Sequence, residues 1–446
     1  MSHPHIYQEL IQLLNENSVA FNLEHKNILS VANQIGDARL VLMGEASHGT
    51  KEFYDTRIAL TKYLIKEKGF HAIAIEGDWP SAYQVHRYIQ GFNQSEESAL
   101  NGFQRFPAWM WRNKSIQAFL PWLRNHNDQF AENKVGFYGL DLYCLHDSMN
   151  AIISYLKKHE PDAVANAMMR YSCFDHTTVD PQVYGYLVNQ KVKHACVHEV
   201  TEQLLEMQHH ALSEINKSKL PDHETAYYAL QNARLVKNAE KYYRSMFEPR
   251  DISWNIRDQH MAETLSNIIS HVESNLKEPA KIIVWAHNSH VGDARATEMH
   301  ERNEINLGQI VREQYNTASY LLGFSTYDGT VRAASEWDGP SNIKKINPGM
   351  PGSYEALFHD ANQKNFFLNL RAENHLTHLL KNPELQRAIG VIYLPETERM
   401  SHYYFSRLPY QFDGIIHFDR TQAVVPLDRD AFPETDELPE TYPTGM

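Results

Sequence analysis

Residues 39–78 read RLVLMGEASHGTKEFYDTRIALTKYLIKEKGFHAIAIEGD, and they give the clearest indication of the fold class. Its two ends, Arg39–Gly44 and His71–Glu76, contain short apolar runs of strand length. Between them, Lys51–Lys68 carries apolar residues at helical spacing and is followed by Gly69, a residue that commonly closes a helix. A strand, a helix and a second strand in this order form a βαβ unit, which predicts that the two strands are parallel.

Five more runs of strand length follow along the chain. Most of them lack the alternation of polar and apolar residues that marks a half-exposed strand, so they predict strands covered by helices on both faces. The sequence therefore predicts the α/β class, with a mostly parallel sheet flanked by helices. The five runs are Lys134–Asp141, Lys281–Ala286, Ser319–Thr326, Gly390–Leu394 and Gly414–Phe418.

Long helical stretches divide this predicted core. Residues 1–147 are predicted to form its first part, with an aromatic-rich helical excursion at 80–130. Residues 148–276 show helical periodicity with few glycines or prolines, which predicts a helical subdomain inserted between the third and fourth strands. Residues 277–425 are predicted to complete the core, and residues 426–446 form an acidic, proline-rich tail.

Composition and charge exclude several classes of protein. Among 446 residues, 42 Lys and Arg stand against 55 Asp and Glu, which gives a formal net charge of −13. Binding to nucleic acid or to an anionic membrane needs a basic face, so neither partner is expected. The first residues show no signal-peptide pattern and no apolar run reaches membrane-spanning length, which predicts a cytoplasmic protein.

Several familiar motifs are absent from the sequence. It contains no HExxH, GxGxxG, GxxxxGK[ST] or paired CxxC, which disfavours thermolysin-like proteolysis, dinucleotide redox chemistry and nucleotide phosphate transfer. The three cysteines, Cys144, Cys173 and Cys196, are too few and too scattered for a disulfide framework. They are predicted to be small buried apolar residues.

Acidic and histidine side chains follow four of the predicted strands at the point where each strand ends. The carboxyl ends of neighbouring parallel strands face one crevice, so these side chains are expected to meet in one site. Taken singly, each could be a helix cap, a turn residue or a buried histidine bonded to the backbone. Their coincidence at consecutive strand ends favours a functional site. They are Glu45 and His48, Glu76, Asp141, and His287 and His290.

The two of these residues that follow the first of the four strands have the composition of an oriented base. Glu45 and His48 lie three residues apart across a tight turn, so the carboxylate can hold one ring nitrogen while the other takes a proton from water. Arg57 could reach back as a carboxylate clamp or an oxyanion stabiliser, or could be a solvated charge on the helix face. Ser47 lacks the first glycine of the G-x-S-x-G elbow and is interpreted as a turn or cap residue.

Four longer runs carry a family resemblance. They are residues 44–57 (GEASHGTKEFYDTR), 75–79 (IEGDW), 255–262 (NIRDQHMA) and 285–293 (WAHNSHVGD). Over residues 20–420, their length and order resemble the erythromycin esterase family. The resemblance implies a three-layer α/β core with a large helical insertion, and opening of macrolide-type lactones by water without an acyl-enzyme. It also implies six essential residues, with His48 as the general base: Glu45, His48, Arg57, Glu76, His287 and His290.

The leading prediction is a hydrolase of a small-molecule ester or lactone that needs no metal or other cofactor. His48, oriented by Glu45, would deprotonate water for direct attack without a covalent intermediate. Glu76 and His287 would position that water or protonate the leaving alkoxide. Arg57 and His290 would stabilise the oxyanion or hold the carboxylate. The predicted substrate contacts are Asp141, Arg257, Trp79 and Trp109, with pocket-lining loops at Pro80–Trp111 and Trp337–Ser353.

Two other functions fit the same residues. A metallohydrolase could bind zinc or manganese, because glutamate and histidine supply oxygen and nitrogen ligands that suit both ions. A non-catalytic module could hold a small molecule or haem in the same crevice. The sequence leaves the oligomeric state open. The metal ligands in the first alternative would be Glu45, His48, Glu76, His287 and His290.

Overall fold

The computed structural model describes residues 4–92, 95–174, 181–217, 220–276 and 278–428. Eleven strands and eighteen α-helices lie in these ranges. The strands are β1 Val19–Ala20, β2 Leu40–Met43, β3 Ala72–Asp78, β4 Gly136–Asp141, β5 Ile282–Trp285, β6 Ser319–Ala333, β7 Asn342–Ile346, β8 Asn365–Asn369, β9 Glu384–Arg387, β10 Tyr403–Ser406 and β11 Gly414–Thr421.

Helices connect most of the strands and also form a long run between β4 and β5. They are α1 Pro4–Asn17, α2 His25–Ile35, α3 Lys51–Lys68, α4 Trp79–Gln90, α5 Glu96–Leu100, α6 Lys114–Asn127, α7 Leu145–His159, α8 Val164–Tyr171, α9 Pro181–Asn189, α10 Val197–Lys217, α11 Leu220–Ser245, α12 Arg250–Asn275, α13 Asn288–Val291, α14 Leu307–Tyr315, α15 Tyr354–His359, α16 His375–Leu379, α17 Glu398–Ser401 and α18 Leu408–Gln411. No helix among the described residues is both long and apolar enough to cross a membrane.

Nine of the described strands form one sheet in the order β1-β8-β11-β6-β2-β5-β3-β4, with β7 paired to β6. The six strands from β11 to β4 are parallel, whereas β8, β1 and β7 are antiparallel additions. The predicted mostly parallel sheet is therefore confirmed. The predicted βαβ unit has the right direction, but β2 and β3 are not neighbours because β5 lies between them.

The sheet is covered on both faces. Leu40 and Leu42 of β2 point into a core shared with helices such as α7, α11 and α12. Val41 and Met43 point the other way, into a core shared with α2, α3 and α6. Successive side chains of a strand point to opposite faces, and both faces here are apolar, so the strand shows no alternation in its sequence. The three-layer architecture is confirmed.

The segment between β4 and β5 contains helices α7–α12, as the periodicity of residues 148–276 predicts. Helix α11 packs against α7, α9, α10 and α12, and α12 also contacts β4. We propose the same division of the chain, into residues 1–147, 148–276, 277–425 and 426–446. One prediction in this segment is wrong: Cys173 and Cys196 form a disulfide, and Cys144 is the buried free thiol. The two cysteines are 23 residues apart in the sequence, and this spacing alone does not reveal the contact.

Two predicted elements in the second half of the core differ in the structure. Gly390–Leu394 is not a strand; the chain there makes only isolated bridges, from Ile389 to Ser47 and from Ile392 to Ala334. Val391 and Tyr393 of this run are buried and Ile392 and Leu394 are half-buried, which gives the same composition as a strand. The pocket-lining loop predicted at Trp337–Ser353 contains β7, which pairs with the extended end of β6. Of the predicted tail, residues 429–446 lie outside the described residues.

Candidate active site

Five of the six acidic and histidine residues predicted at the strand ends line one cavity at the carboxyl ends of β2, β3, β4 and β5, and Glu45 is outside its wall. The cavity encloses about 100 Å³. Its polar wall includes His48, Glu76, Asp141, His287 and His290, which the sequence predicted to meet. Its other wall is largely apolar. The further lining residues are Gly77, Asp78, Phe103, Arg105, Phe106, Pro107, Ala108, Met110, Trp111, Tyr143, Arg257, Ser289, Trp337, Gly390 and Val391.

The turn between β2 and α3 holds His48 through a chain of buried groups. Nδ1 of His48 lies 2.9 Å from Oε1 of Glu45, and Nη2 of Arg57 donates to Oε2 of the same carboxylate at 2.5 Å. Arg57 is fully buried, with its guanidinium over the rings of Tyr54 and Trp285, and does not line the cavity. Arg57 therefore holds the carboxylate of Glu45. It has no contact with the cavity through which it could stabilise an oxyanion.

Close backbone packing fixes the shape of this turn. A Cβ on Gly49 would lie 1.9 Å from the carbonyl oxygen of Arg332, so any side chain there would push the two segments apart. The hydroxyl of Tyr54 donates to the carbonyl of His48 at 2.9 Å. Ser47 is fully buried and its hydroxyl bonds to Thr50. The turn therefore presents His48 to the cavity and turns Ser47 away from it.

A second network assembles around Arg257 on α12. The guanidinium donates from Nε and Nη2 to Asp141, at 3.0 and 2.7 Å, and from Nη2 to Glu76 at 2.8 Å. The other oxygen of Glu76 accepts the backbone N–H of His287 at 2.8 Å. Burial opposes ionisation of Glu76, but His290, His48, Arg257 and this N–H outweigh it and lower its pKa. Glu76 is thus an anion committed to partners on three elements.

His290 is held by protein on both ring nitrogens. Nδ1 lies 2.9 Å from Asp258, and Nε2 lies 3.0 Å from Nη1 of Arg257 and 3.4 Å from Glu76. The indole of Trp254 stacks on the ring at 4.8 Å between centroids. Burial disfavours the charged form, but Asp258 and Glu76 outweigh it and raise the pKa of His290. Because both of its ring nitrogens are engaged, His290 suits the role of a fixed positive or dipolar group better than that of a residue that transfers protons.

His287 sits next to His48, with ring centroids 4.8 Å apart. Its Nδ1 accepts the backbone N–H of Ser289 at 3.3 Å and lies 2.8 Å from the Ser289 hydroxyl. Burial, together with the neighbouring His48, lowers the pKa of His287 well below the usual range, so the ring is neutral. Because Nδ1 is an acceptor, Nε2 carries the proton, and it has no hydrogen bond of good geometry.

Two of the four predicted substrate contacts lie away from the cavity. Asp141 and Arg257 line it, but Trp79 and Trp109 do not. Trp79 is the first residue of α4 and lies in the core, where it stacks on Tyr138 at 5.8 Å between centroids. Trp109 is buried in the core on the α2, α3 and α6 side of the sheet.

Other aromatic residues take the place of these tryptophans. Trp111 lines the cavity and donates its indole N–H to the carbonyl of Glu76 at 3.2 Å. Phe106 and Trp337 meet edge to face at 4.8 Å between centroids, one from each predicted pocket loop. Asp258 was also not selected from the sequence, although it stands within the run 255–262 that was. Its position next to Arg257 was the available signal.

The side chains do not fit the metal site of the alternative prediction. No group of three or more His, Cys, Asp or Glu in the described part of the chain is arranged to hold a metal ion. The reason is electrostatic: the cationic guanidinium of Arg257 contacts both Glu76 and His290 and occupies the ligand atoms that a metal ion would need. Glu45 is likewise engaged by Arg57 and His48. The donor atoms therefore have protein partners already.

One protein family and a bacterial relative of similar length match this sequence. The family model described as erythromycin esterase matches residues 65–421. The protein YbfO of Bacillus subtilis, a provisionally named hydrolase, is 21% identical over 426 residues, which is 91% of this chain and 89% of YbfO.

Two solved structures share the fold. A structure described as a succinoglycan biosynthesis protein superposes with a TM-score of 0.78 at 21% identity, covering 96% of this chain and 100% of that chain. A mutant of the erythromycin esterase EreC in its open conformation gives a TM-score of 0.67 at 16% identity, covering 91% of this chain and 96% of that chain. At these identities the likeness establishes the fold alone.

Proposed function

The chain belongs to the erythromycin esterase family, and on that premise we propose that it hydrolyses an ester or lactone by direct attack of water activated by His48. Membership of the family indicates a hydrolase that acts on a small molecule. The reaction type and the residues' roles are the proposal. The observation that carries it is the buried Arg57–Glu45–His48 chain, which ends at the cavity.

His48 has the contacts that a general base requires. The carboxylate of Glu45, itself held by Arg57, accepts the proton on Nδ1, so Nε2 is left without a proton in the neutral ring. That nitrogen can take a proton from a water molecule in the cavity as the water attacks the ester carbon. The protonated ring is then stabilised by Glu45. Arg57 acts through the carboxylate and does not touch the substrate.

The oxyanion that forms during attack needs a hydrogen-bond donor in the cavity wall. The proton on Nε2 of His287 meets this need, because the ring is neutral, lines the cavity and stands next to His48. A preorganised donor of this kind is worth about two to three powers of ten in rate. Glu76 fixes His287 by accepting its backbone N–H, and Ser289 fixes the ring's tautomer.

The contacts of the nearby serines favour water as the nucleophile. Ser47 is buried and bonded to Thr50, away from the cavity. Ser289 does line the cavity, but the imidazole next to its hydroxyl is His287, whose lowered pKa makes it a weak base. Neither serine has both an exposed hydroxyl and a competent base. We therefore expect turnover without a covalent intermediate.

The proposal is tested with a panel of chromogenic esters, lactones and a macrolide. His48→Ala should lower kcat by about two to four powers of ten on any substrate that is turned over. His300→Ala removes an exposed histidine outside the cavity and should keep the wild-type rate. Both variants should keep the wild-type thermal midpoint.

Pre-steady-state kinetics on the same substrate should show no product burst in the wild-type enzyme. Substantial turnover by His48→Ala, or a burst equal to the enzyme concentration that Ser289→Ala abolishes, would contradict the proposal. Turnover of the macrolide, or of the simpler lactones alone, would identify the substrate class.

A further inference from the structure

Asp78 is a carboxyl group in the cavity wall to which neither the family resemblance nor the reaction described above gives a role. It ends β3, two residues after Glu76, and stands beside Asp141 in the register of β3 and β4. Its side chain is 16% exposed and contributes to the same cavity as His48. The two groups therefore face one bound molecule from different strands.

The carboxyl group of Asp78 has only weak support for its charged form: the thiol of Cys144, a weak hydrogen-bond donor, and the distant Arg105 favour the anion, but burial outweighs them. Asp78 is the N-cap residue of α4, yet its side chain accepts no capping hydrogen bond. Pro80 at the second position of the helix lacks the N–H that such a cap would accept. The nearest cation, Nε of Arg105, is 4.0 Å away, beyond hydrogen-bond reach. Arg105 also donates from Nη1 to the carbonyl of Tyr143.

The neighbouring carboxylates divide the available charge unequally. Asp141 takes two hydrogen bonds from Arg257, and Glu76 takes a third. Asp78 lies next to Asp141 without such a bond. Burial is the main reason that the pKa of Asp78 rises to about 6, and the negative charges of Asp141 and Asp147 add to it, against the pull of Arg105. Asp78 is therefore the carboxyl in this wall best placed to hold a proton.

We infer that Asp78 is the general acid that protonates the departing alkoxide. The inference rests on the proposed hydrolysis. Water adds to the carbonyl carbon as His48 takes its proton; the bond from that carbon to the alkoxy oxygen then breaks, and its electron pair stays on the oxygen. That oxygen receives the proton of Asp78. Transfer of the proton from His48 through solvent to the Asp78 carboxylate restores the starting state, so ester and water give acid and alcohol.

The other proton-bearing groups in the cavity wall are less suited to this transfer. Both nitrogens of His290 face protein partners. The hydroxyl of Tyr143 is buried, and burial raises its pKa well above the usual range. Arg257 is committed to Asp141, Glu76 and His290. His287 holds its Nε2 proton too tightly to release it, because it is a neutral imidazole.

The test uses two esters of one carboxylic acid, a para-nitrophenyl ester and an ethyl ester. The nitrophenolate leaves without a proton, whereas the ethoxide needs one. Asp78→Asn should lower kcat/KM for the ethyl ester by about 100-fold or more, and for the nitrophenyl ester by about three-fold at most. The ratio of the two rates is independent of how much variant folds. Asparagine is also a good N-cap residue, so the helix start is kept.

The pH profile gives a second readout. The acid must be protonated to act, so wild-type kcat/KM for the ethyl ester should fall as pH rises above about 6. This fall should be absent in Asp78→Asn. Asp162→Asn removes an exposed carboxylate that does not line the cavity and does not influence the pKa of Asp78, and it should keep the wild-type ratio of rates.

Equal losses on both esters, an ethyl-ester rate that is retained, or a descending limb that persists in Asp78→Asn would each overturn the inference. These outcomes leave the proposed hydrolysis intact. That proposal fails separately, if the wild-type enzyme turns over neither ester or if His48→Ala keeps the activity.

Discussion

Two carboxylate–histidine pairs reach this cavity through their histidines, and they are built differently. Glu45 and His48 are three residues apart on one turn, and Arg57 is on the helix that follows. Asp258 and His290 are 32 residues apart, and Arg257 joins them to Glu76 and Asp141 on two further strands. The local pair leaves one ring nitrogen for the cavity, whereas the distant pair leaves none. The difference separates a group that can move a proton from a group that holds the site together.

The largest expected effect comes from breaking the distant network. Arg257→Met should lower the free energy of unfolding by about 3–5 kcal/mol, because it leaves Glu76 and Asp141 buried without their cation. Urea-induced unfolding measures this change. Arg302→Met is the matched control: its partner Glu298 is one turn away on an exposed surface, so the loss should be about 1 kcal/mol or less. A similar small loss for Arg257→Met would mean that the network does not stabilise the fold.

Replacing the acidic residue of each pair tests whether the two histidines have different roles. Glu45→Gln should lower kcat by about 100-fold, since the base loses its orientation and the stabilisation of its charged form. Asp258→Asn keeps the shape and one acceptor and should cost about ten-fold at most, because His290 transfers no proton in the proposed reaction. Steady-state kinetics at matched folded concentration separate the two. An equal loss in Asp258→Asn would assign a proton-transfer role to His290.

The smallest effect should follow treatment with a strong chelator. Arg257 contacts both Glu76 and His290 and occupies the ligand atoms that a metal ion would need, so kcat should be unchanged after dialysis. Elemental analysis before and after dialysis accompanies the rate measurement. Stoichiometric zinc or manganese that is lost together with the activity would reverse this expectation. It would also mean that a metal centre, and not the Glu45–His48 pair, activates the water.

The same difference explains what could be predicted from the sequence. The strand ends that carry Glu45, Glu76, Asp141 and His287 follow from apolar runs, because each residue is adjacent to the strand that positions it. The partner of His290 could not be predicted this way, since Asp258 arrives on α12 from a distant part of the chain. Its carboxylate looks like one more helical charge until the fold is known.

The errors in the prediction of the fold have a related cause. The run Gly390–Leu394 has strand composition because it is buried, yet it lies outside the ladder of the sheet. Trp79 was predicted to contact the substrate, but it is the first residue of α4, and its ring stacks on Tyr138 in the core. Whether a side chain is buried, and which way it points, depends on neighbours that are remote in the sequence. The local sequence pattern therefore predicts neither property.

The position of Arg257 and Asp258 on α12 has a consequence for how this chain can diversify. Four strands supply the reactive groups, but the last helix before β5 supplies the cation that neutralises two of their carboxylates. A recombination event that exchanged residues 148–276 as a block would import a foreign charge pattern into the cavity and strand those carboxylates. Helices α8 and α9 supply no residue to the cavity wall. Lineages can therefore vary these outer helices, while α12 must be inherited together with the sheet.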